Sequence, residues 1–422
     1  MIVDVMKERG VSCPGGKVPP LRLGFAEPPL PPFRVERMRR PQGLALILSP
    51  TKWGRGGSAK PRRRGGLVVA LTVFVSLVGA QPAPAAPVKT ADVIGRAVDG
   101  FVRPAYAALR EKASAEAKAV KALCASPSQA NLAAARTDFS ALVDAWSAIE
   151  IVQFGPIREN NRLERMLFWP DRKSIGLKQV QAALAANDPT AADPAAIAGK
   201  SVAMQGLGAL EYILYGTGAD ALASANGAYR CAFGAAVAGN IETIAAEVAA
   251  AWNKPDGFAA IWRNPGPDNP VYRDGPEAVT DLLGVLIDGL ELVRDVRVKG
   301  FLGANADADR PKQAIFWRSG KTADSLAANL DGMDRLFTVS RIGEALSDDA
   351  RWMAESTHIQ LANGVADARA ASGPIDTVLA DPEKRARLEH FRLVTSSLSS
   401  LVGTRMTAEF GLTAGFSSLD GD

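Results

Sequence analysis

The chain has 422 residues, of which 47% are hydrophobic, and this is enough apolar material for a globular protein of two or three domains. Its formal net charge of +4 is unevenly distributed. Residues 1–64 contain 14 Lys or Arg and 4 Asp or Glu, whereas residues 87–422 contain 35 basic and 41 acidic residues. The mildly acidic body argues against nucleic-acid binding, because that function normally requires a basic surface.

The basic excess precedes an apolar run that is typical of an export signal. Arg62, Arg63 and Arg64 come directly before the apolar residues 67–80, and small residues follow over 81–86. The run has about 14 residues, whereas roughly 20 are needed to span a bilayer. We interpret residues 65–86 as the apolar and cleavage region of a signal peptide. This predicts a periplasmic protein without a permanent membrane anchor.

The first 64 residues show no sustained apolar period and contain several Pro-Pro pairs. Such a composition predicts a disordered basic leader. An alternative interpretation is that the start codon is placed too early, with Met38 as a later candidate.

Helical patterns fill the first half of the mature chain. Apolar spacing and capping residues predict helices over 91–124, 126–152, 176–186, 194–216 and 227–252. Pro104 should bend the first of these helices. The sequence Ser126-Pro127-Ser128-Gln129 resembles a capping box with Pro at the first helical position. Together these helices form a predicted first bundle over residues 87–254.

Dense turn signals separate this half from the next. The sequences Lys254-Pro255-Asp256-Gly257 and Asn264-Pro265-Gly266-Pro267 predict a linker over 255–275. Further helices are predicted over 277–298, 323–346, 347–371 and 382–410, and no segment has the alternation of a strand. The predicted fold is therefore all-α, with a second bundle over 276–422 and the two sequential antiparallel bundles packed side by side.

Common catalytic signatures are missing from the sequence. The two histidines, His358 and His390, are too far apart for a His-Glu-x-x-His zinc helix. The chain also has no Gly-x-Ser-x-Gly elbow and no phosphate-binding glycine loop. We interpret both histidines as surface or packing residues.

One carboxylate falls beside an apolar helical stripe. Glu211 follows Gly206 and Gly208, which cost about 1 kcal/mol each in a helix interior. Bare backbone at these positions indicates close approach by a helix or a ligand. Glu211 is then either a residue at the core edge that pairs with an Arg or a functional acid.

Two other segments combine charged and aromatic side chains. The first contains Arg165, Trp169 and Asp171, and the second is Trp317-Arg318-Ser319. Each segment is either a structural ion-pair cluster or part of the wall of a ligand-binding site. If the bundles pack side by side, both segments and Glu211 are predicted to line one cleft between them.

The number of cysteines predicts a disulfide bond. Removal of the leader takes Cys13 away and leaves Cys124 and Cys231. An even pair in an exported protein predicts a Cys124–Cys231 disulfide.

At these residues the chain resembles the imelysin family, whose members are exported bacterial proteins classed with a peptidase group and connected with iron uptake. The resemblance covers most of the mature chain. It depends on five groups of residues: Trp146 with Phe154-Gly155-Pro156, Phe168-Trp169-Pro170-Asp171, Gln205-Gly206-Leu207-Gly208-Ala209-Leu210-Glu211, Tyr229-Arg230-Cys231 and Trp317-Arg318-Ser319-Gly320. The resemblance implies two helical bundles with the family motif at their interface.

The chain departs from the family motif, Gly-x-His-x-x-Glu, which holds a metal. Gly206 and Glu211 match this motif, but Gly208 occupies the histidine position. His and Glu three residues apart share a helix face and can chelate, whereas Glu211 by itself cannot. Binding of iron or another divalent metal would need Asp171 or another acid beside Glu211. A metal-dependent peptidase needs about three protein ligands, so the substitution argues against that activity.

Three functions follow as hypotheses. The first is an exported imelysin-like binding or accessory protein for iron acquisition, with a small anionic or metal-bearing ligand and an envelope protein as partner. In this hypothesis Glu211, Gln205, Arg165, Asp171, Trp169, Trp317, Arg318 and Ser319 line the ligand cleft. The second is a peptidase or other hydrolase with Glu211 as general base. The third is a structural or partner-binding helical protein whose polar segments only form ion pairs.

Overall fold

A computed structural model describes residues 89–412 of the chain. The predicted leader and signal peptide lie outside this range. Between residues 89 and 412 there is no β-strand, which confirms the all-α prediction. Within the same range, no helix has both the length and the apolar character that crossing a bilayer requires.

Long helices alternate with short helical turns. The α-helices are α1 Thr90–Ala97, α2 Arg103–Ala125, α3 Gln129–Ile149, α4 Arg162–Met166, α5 Ile175–Ala186, α6 Leu207–Tyr215, α7 Ala228–Asn253, α8 Phe258–Arg263, α9 Gly275–Glu291, α10 Lys299–Phe301, α11 Thr322–Ser340, α12 Trp352–Ala370, α13 Ile375–Ala380, α14 Pro382–Ser400 and α15 Thr407–Glu409. Three π-helical segments adjoin them: Val98–Val102, Leu292–Val298 and Leu401–Met406.

Local chemistry explains several helix ends. Helix α3 begins after Ser128, whose hydroxyl accepts a hydrogen bond from Asn131 N at 3.2 Å. The predicted capping box is therefore wrong in detail, because the cap is Ser128 and Pro127 precedes the helix. The predicted helix 323–346 ends instead at Ser340. Arg341 has a φ of 57°, and this left-handed conformation cannot continue an α-helix.

The predicted helix over 194–216 is broken into shorter pieces. Two 3₁₀ turns, Ile197–Gly199 and Val202–Met204, precede α6. Gly206 has extended backbone angles and caps α6 at its N-terminus. The prediction of one continuous helix was therefore wrong, because its apolar pattern did not show where Gly206 must leave the helix.

Helices from both halves of the sequence contact one another. Helix α2 packs between α3 and α7, α3 also packs against α11, and α11 packs against α12. The segment predicted as a linker contains α8, and its Trp262 is fully buried. This segment therefore contributes to the core, and the division into bundles over 87–254 and 276–422 stays a prediction.

A buried polar network joins α3 to α11. Arg297, which is 2% exposed, donates a hydrogen bond to a carboxylate oxygen of Glu150, which is 4% exposed. Asn329 donates to the other oxygen of Glu150 at 2.7 Å and accepts a hydrogen bond from Arg297. Ser147 and Ser325 complete the network through hydroxyl groups 2.7 Å apart. Pairing of this kind is necessary because an isolated buried charge is very costly.

The structure also joins Cys124 and Cys231 in a disulfide, the pairing that the sequence predicts. This bond connects α2 with α7 across 107 residues of sequence. A disulfide that closes so long a loop stabilises the fold by about 4 to 5 kcal/mol in the chain-entropy account.

A second buried carboxyl group has different surroundings. Glu116 on α2 is 0% exposed, and neither carboxylate oxygen has a hydrogen-bond partner among the described residues. Burial raises the pKa of Glu116 well above its usual range, and the nearby Asp138 raises it further. The folded protein therefore holds this proton more tightly than the unfolded chain does.

Because the pKa of Glu116 is raised in the folded state, we expect the free energy of unfolding to depend on pH. The protonated Glu116 adds to the free energy of unfolding. This contribution is fully present below the ordinary pKa of 4.5, and it is lost as the pH rises through the raised pKa of the folded state. The loss amounts to roughly 1.4 kcal/mol for each unit of pKa shift. Glu116→Gln cannot ionise, so its free energy of unfolding should fall less than that of the wild type between pH 5 and pH 8. Chemical denaturation across this pH range measures the difference. Glu111→Gln, at an exposed position of the same helix, is the control, and parallel curves for wild type and Glu116→Gln would refute the prediction.

Candidate functional site

The backbone of α6 is fixed at its start by close contact with α4. A Cβ atom at Gly206 would lie 2.3 Å from Met166 O and 2.6 Å from Arg165 O. No side chain fits at these distances, so only glycine allows this approach. The predicted close approach therefore occurs at Gly206, although its partner is protein backbone and not a ligand. A Cβ atom at Gly208 would meet nothing within 4 Å.

Two arginines hold the other end of α6. Arg136 donates to Leu214 O from both Nε, at 3.0 Å, and Nη2, at 2.9 Å. Arg230 donates to Ile213 O at 2.9 Å and to Tyr212 O at 3.1 Å. The last carbonyl groups of a helix lack partners within it, and cations near them are favourable. These bonds fix the position of α6 at its C-terminus.

This anchoring directs Glu211 toward the segment that precedes α11. The carboxylate of Glu211 accepts hydrogen bonds from Ser319 N and Ser319 Oγ, both at 2.9 Å, and its residue is 4% exposed. Burial raises the pKa of Glu211 above its ordinary value, while the Ser319 hydrogen bonds and the Arg318 charge act in the opposite direction. Glu211 thus links the two halves of the sequence through Ser319.

A tight turn presents the residues beside Ser319. Lys321 N donates to Phe316 O at 3.1 Å and closes the turn. Gly320 has a φ of +70°, a conformation that glycine adopts without strain. Phe316 has a φ of 51°, which is unfavourable for an aromatic residue, and its burial in the core holds it there.

The guanidinium group of Arg318 lies between two aromatic rings. Its Cζ atom is 4.4 Å from the ring centroid of Trp317 and 5.2 Å from that of Tyr212. No hydrogen bond or ion pair within residues 89–412 engages its N–H groups, and the side chain is only partly buried. Burial lowers the pKa of Arg318, whereas Glu211 and Tyr212 raise it. Guanidinium groups remain charged in proteins, so Arg318 offers a positioned set of free donors.

Arg165, the other arginine predicted to line the cleft, has hydrogen-bond partners within the protein. Arg165 donates to Gln205 Oε1 at 2.9 Å and to Asn240 Oδ1 at 3.1 Å. Gln205 is 1% exposed and donates to Ala198 O at 3.3 Å. The half-buried Arg165 therefore forms a structural group with the buried Gln205 and Asn240. In the described part of the chain, neither Arg165 nor Gln205 is hydrogen-bonded to the Glu211 carboxylate.

Asp171 and Trp169 also have structural surroundings. Asp171 accepts hydrogen bonds from Ile175 N at 2.6 Å and from Leu177 N at 3.2 Å, so it caps the start of α5. Trp169 packs against the core and precedes Pro170 through a cis peptide bond. Among residues 89–412, no group of three or more His, Cys, Asp or Glu is arranged to hold a metal ion. Both carboxylate oxygens of Asp171 are engaged at the start of α5.

Three residues outside the predicted site contribute to it. Tyr212 stacks on Arg318, and Arg136 and Arg230 hold the helix that carries Glu211. Tyr212 directly follows Glu211, and Arg230 lies in the Tyr229-Arg230-Cys231 sequence, so both were close to recognised signals. Arg136 lies on α3 in a region without a comparable signal.

The contrast between the two glycines gives a prediction. Gly206→Ala should lower the free energy of unfolding by about 3 kcal/mol, because its methyl group overlaps two carbonyl oxygens. Gly208→Ala should be neutral or should stabilise the protein by up to about 1 kcal/mol, since the site is open and alanine favours a helix. Urea denaturation measures both changes, and equal stabilities of the two variants would contradict the proposed packing.

Comparison with known proteins supports the family resemblance. The family model described as Imelysin, of the peptidase M75 group, matches residues 102–401. A search of curated proteins gives no match.

Two solved structures share the fold. An imelysin-like protein from Psychrobacter arcticum 273-4 has a TM-score of 0.63 and 18% sequence identity, covering 79% of this chain and 100% of that chain. A protein from Parabacteroides distasonis ATCC 8503, described as a candidate iron-regulated protein A precursor, has a TM-score of 0.62 and 16% identity. That match covers 77% of this chain and 97% of the other. The family model spans most of the described residues, and this chain therefore belongs to the imelysin family.

Proposed function

We propose that this imelysin-family protein is an exported binding protein that holds a small anionic ligand at Arg318 and serves iron acquisition. The observation that carries the proposal is the guanidinium group of Arg318, stacked between Trp317 and Tyr212 with its N–H groups unpaired within residues 89–412. A guanidinium group in fixed orientation favours carboxylate and phosphate ligands, because two parallel N–H groups match two oxygens.

Iron would reach this site as a chelate. Since residues 89–412 contain no metal-binding group of three acids, histidines or cysteines, the ion would bring its own oxygen ligands. A ferric ion wrapped in carboxylates has an anionic outer surface that Arg318 can bind. The description of the Parabacteroides distasonis protein as a candidate iron-regulated protein supports this choice of cargo.

Export is proposed from the sequence around residues 62–86. The Cys124–Cys231 disulfide supports it, because disulfides persist mainly in oxidising compartments such as the periplasm. An envelope protein is the proposed partner that receives the ligand.

Titration with citrate and with ferric citrate tests the proposal. Trp317 lies 4.4 Å from Arg318, so tryptophan fluorescence should change on binding. Arg318→Gln should weaken binding by about tenfold to a hundredfold, the loss expected for a charge-assisted hydrogen bond. Arg318→Lys should bind with intermediate affinity, because lysine keeps the charge but lacks the planar, bidentate group. Arg341→Gln, at an exposed arginine paired with Glu344, is the control. Equal affinity of wild type and Arg318→Gln would exclude the site.

Burial of Glu211 favours one alternative, a hydrolase with this residue as general base. A raised pKa suits a group that must accept a proton near neutral pH. Incubation with casein, using wild type and Glu211→Gln, tests this alternative. Loss of cleavage in Glu211→Gln at unchanged melting temperature would support it.

A structural role is the remaining alternative. It is favoured if neither ligand binding nor cleavage occurs and if Arg318→Gln and Glu211→Gln change only the melting temperature.

A further inference from the structure

A separate trough runs along one face of α11. It has a volume of about 420 Å³ and lies between α2, α3 and α11. Its middle is lined by small apolar side chains: Ala105, Ala108, Ala145, Ala148, Ala327 and Ala328. Glu211, Trp317, Arg318 and Ser319 do not line this trough. It is therefore distinct from the anion site proposed above.

One end of the trough carries an excess of negative charge. Asp144, Asp324 and Lys321 meet there, so two carboxylates flank one ammonium group, and the charge of Arg369 also acts on Asp324. Lys321 Nζ lies 2.7 Å from Asp324 but 3.4 Å from the nearer oxygen of Asp144. Asp324 also accepts a hydrogen bond from Ser372 Oγ at 2.6 Å. Asp144 is therefore the less neutralised of the two acids, and its side chain is 48% exposed.

The opposite end carries an excess of positive charge. Arg335, Arg369 and Asp331 line it, so two guanidinium groups face one carboxylate. Arg369 is 3.8 Å from Asp331, a distance that gives a weak ion pair. Arg335 stacks over the ring of Phe101 at 5.7 Å and has no hydrogen bond or ion pair with another described residue. Its donors are available to an anion.

The separation of the two ends sets the size of a ligand. Asp324 and Arg335 are 11 residues apart on α11. At 1.5 Å per residue, the helix separates them by about 16 Å along its axis. An extended peptide covers about 3.3 to 3.6 Å per residue, so four or five residues span this distance.

We propose that the trough binds a short linear peptide of four or five small residues with both termini free. The peptide's ammonium group lies at Asp144, and its terminal carboxylate lies at Arg335 and Arg369. Small side chains pack on the alanine surface between these ends. The excess of one charge at each end fixes the direction of the peptide, because the reverse direction brings like charges together.

Calorimetric titration of the full mature chain with penta-alanine tests the proposal. N-acetylated penta-alanine and C-amidated penta-alanine should each bind at least about tenfold more weakly, because each loses one charged terminus. Di-alanine should also bind more weakly, since it cannot reach both ends. Absence of penta-alanine binding at millimolar concentration, or equal binding of all three five-residue peptides, overturns the proposal.

Two variants distinguish the ends. Asp144→Asn should weaken binding of penta-alanine about tenfold and leave the affinity for the N-acetylated peptide unchanged. Arg335→Gln should also weaken binding of penta-alanine about tenfold, and it should leave the affinity for the C-amidated peptide unchanged. Asp348→Asn and Arg341→Gln, at exposed positions outside the trough, are matched controls. Arg318→Gln should leave peptide affinity unchanged, which separates this site from the anion site. A loss of affinity that is the same for free and blocked peptides would refute the assigned roles.

Discussion

A buried ion pair between Glu150 and Arg297 fixes the relation between the two halves of the sequence. Both residues are almost fully buried, and Asn329 completes the hydrogen bonding of the Glu150 carboxylate. Removing one member of such a pair leaves an uncompensated charge and costs about 3 to 5 kcal/mol. The network therefore disfavours arrangements of α3 and α11 that would leave its charged groups without partners. The turn with Arg318 and the alanine trough are both built on α11 or directly before it.

The candidate anion site depends on how α6 is held within this frame. Gly206 brings the start of the helix against backbone carbonyls, and Arg136 and Arg230 bind its last carbonyls. Glu211 can then reach Ser319 with good geometry. Because a nine-residue helix has little stability of its own, these contacts at both ends determine where its side chains point. The same contacts place Tyr212 against Arg318.

The backbone around Gly208 is open, unlike that around Gly206. A Cβ atom at Gly208 would meet nothing within 4 Å, and the family resemblance predicts the motif histidine at this position. With Glu211 bound to Ser319 and Asp171 engaged as a helix cap, the described residues leave Arg318 as the charged group with free donors beside the motif. The proposed anion binding through Arg318 is consistent with these contacts.

Much of the local structure could be predicted from residue order. Apolar spacing located most helices, and Cys124 with Cys231 could be paired because they were the two cysteines left after the leader. The Trp317-Arg318-Ser319 segment and Glu211 could be selected because charged groups interrupted apolar patterns. Arg165 and Asp171 were selected by the same signal, yet they bind Gln205, Asn240 and the backbone of α5. A one-dimensional pattern cannot distinguish these cases, because the partners of Arg165 lie 40 and 75 residues away.

The sequence by itself determined the helical class, the family resemblance and the chemical types available at the site. Helix periodicity, caps and motifs act over a few residues, so a linear pattern can record them. Tertiary structure alone decided that Arg165 is satisfied and Arg318 is not, that Gly206 meets backbone while Gly208 faces open space, and that opposite charges gather at the two ends of one trough. Each of these outcomes depends on distances between residues that are far apart in the chain, and those distances are fixed only when the helices pack.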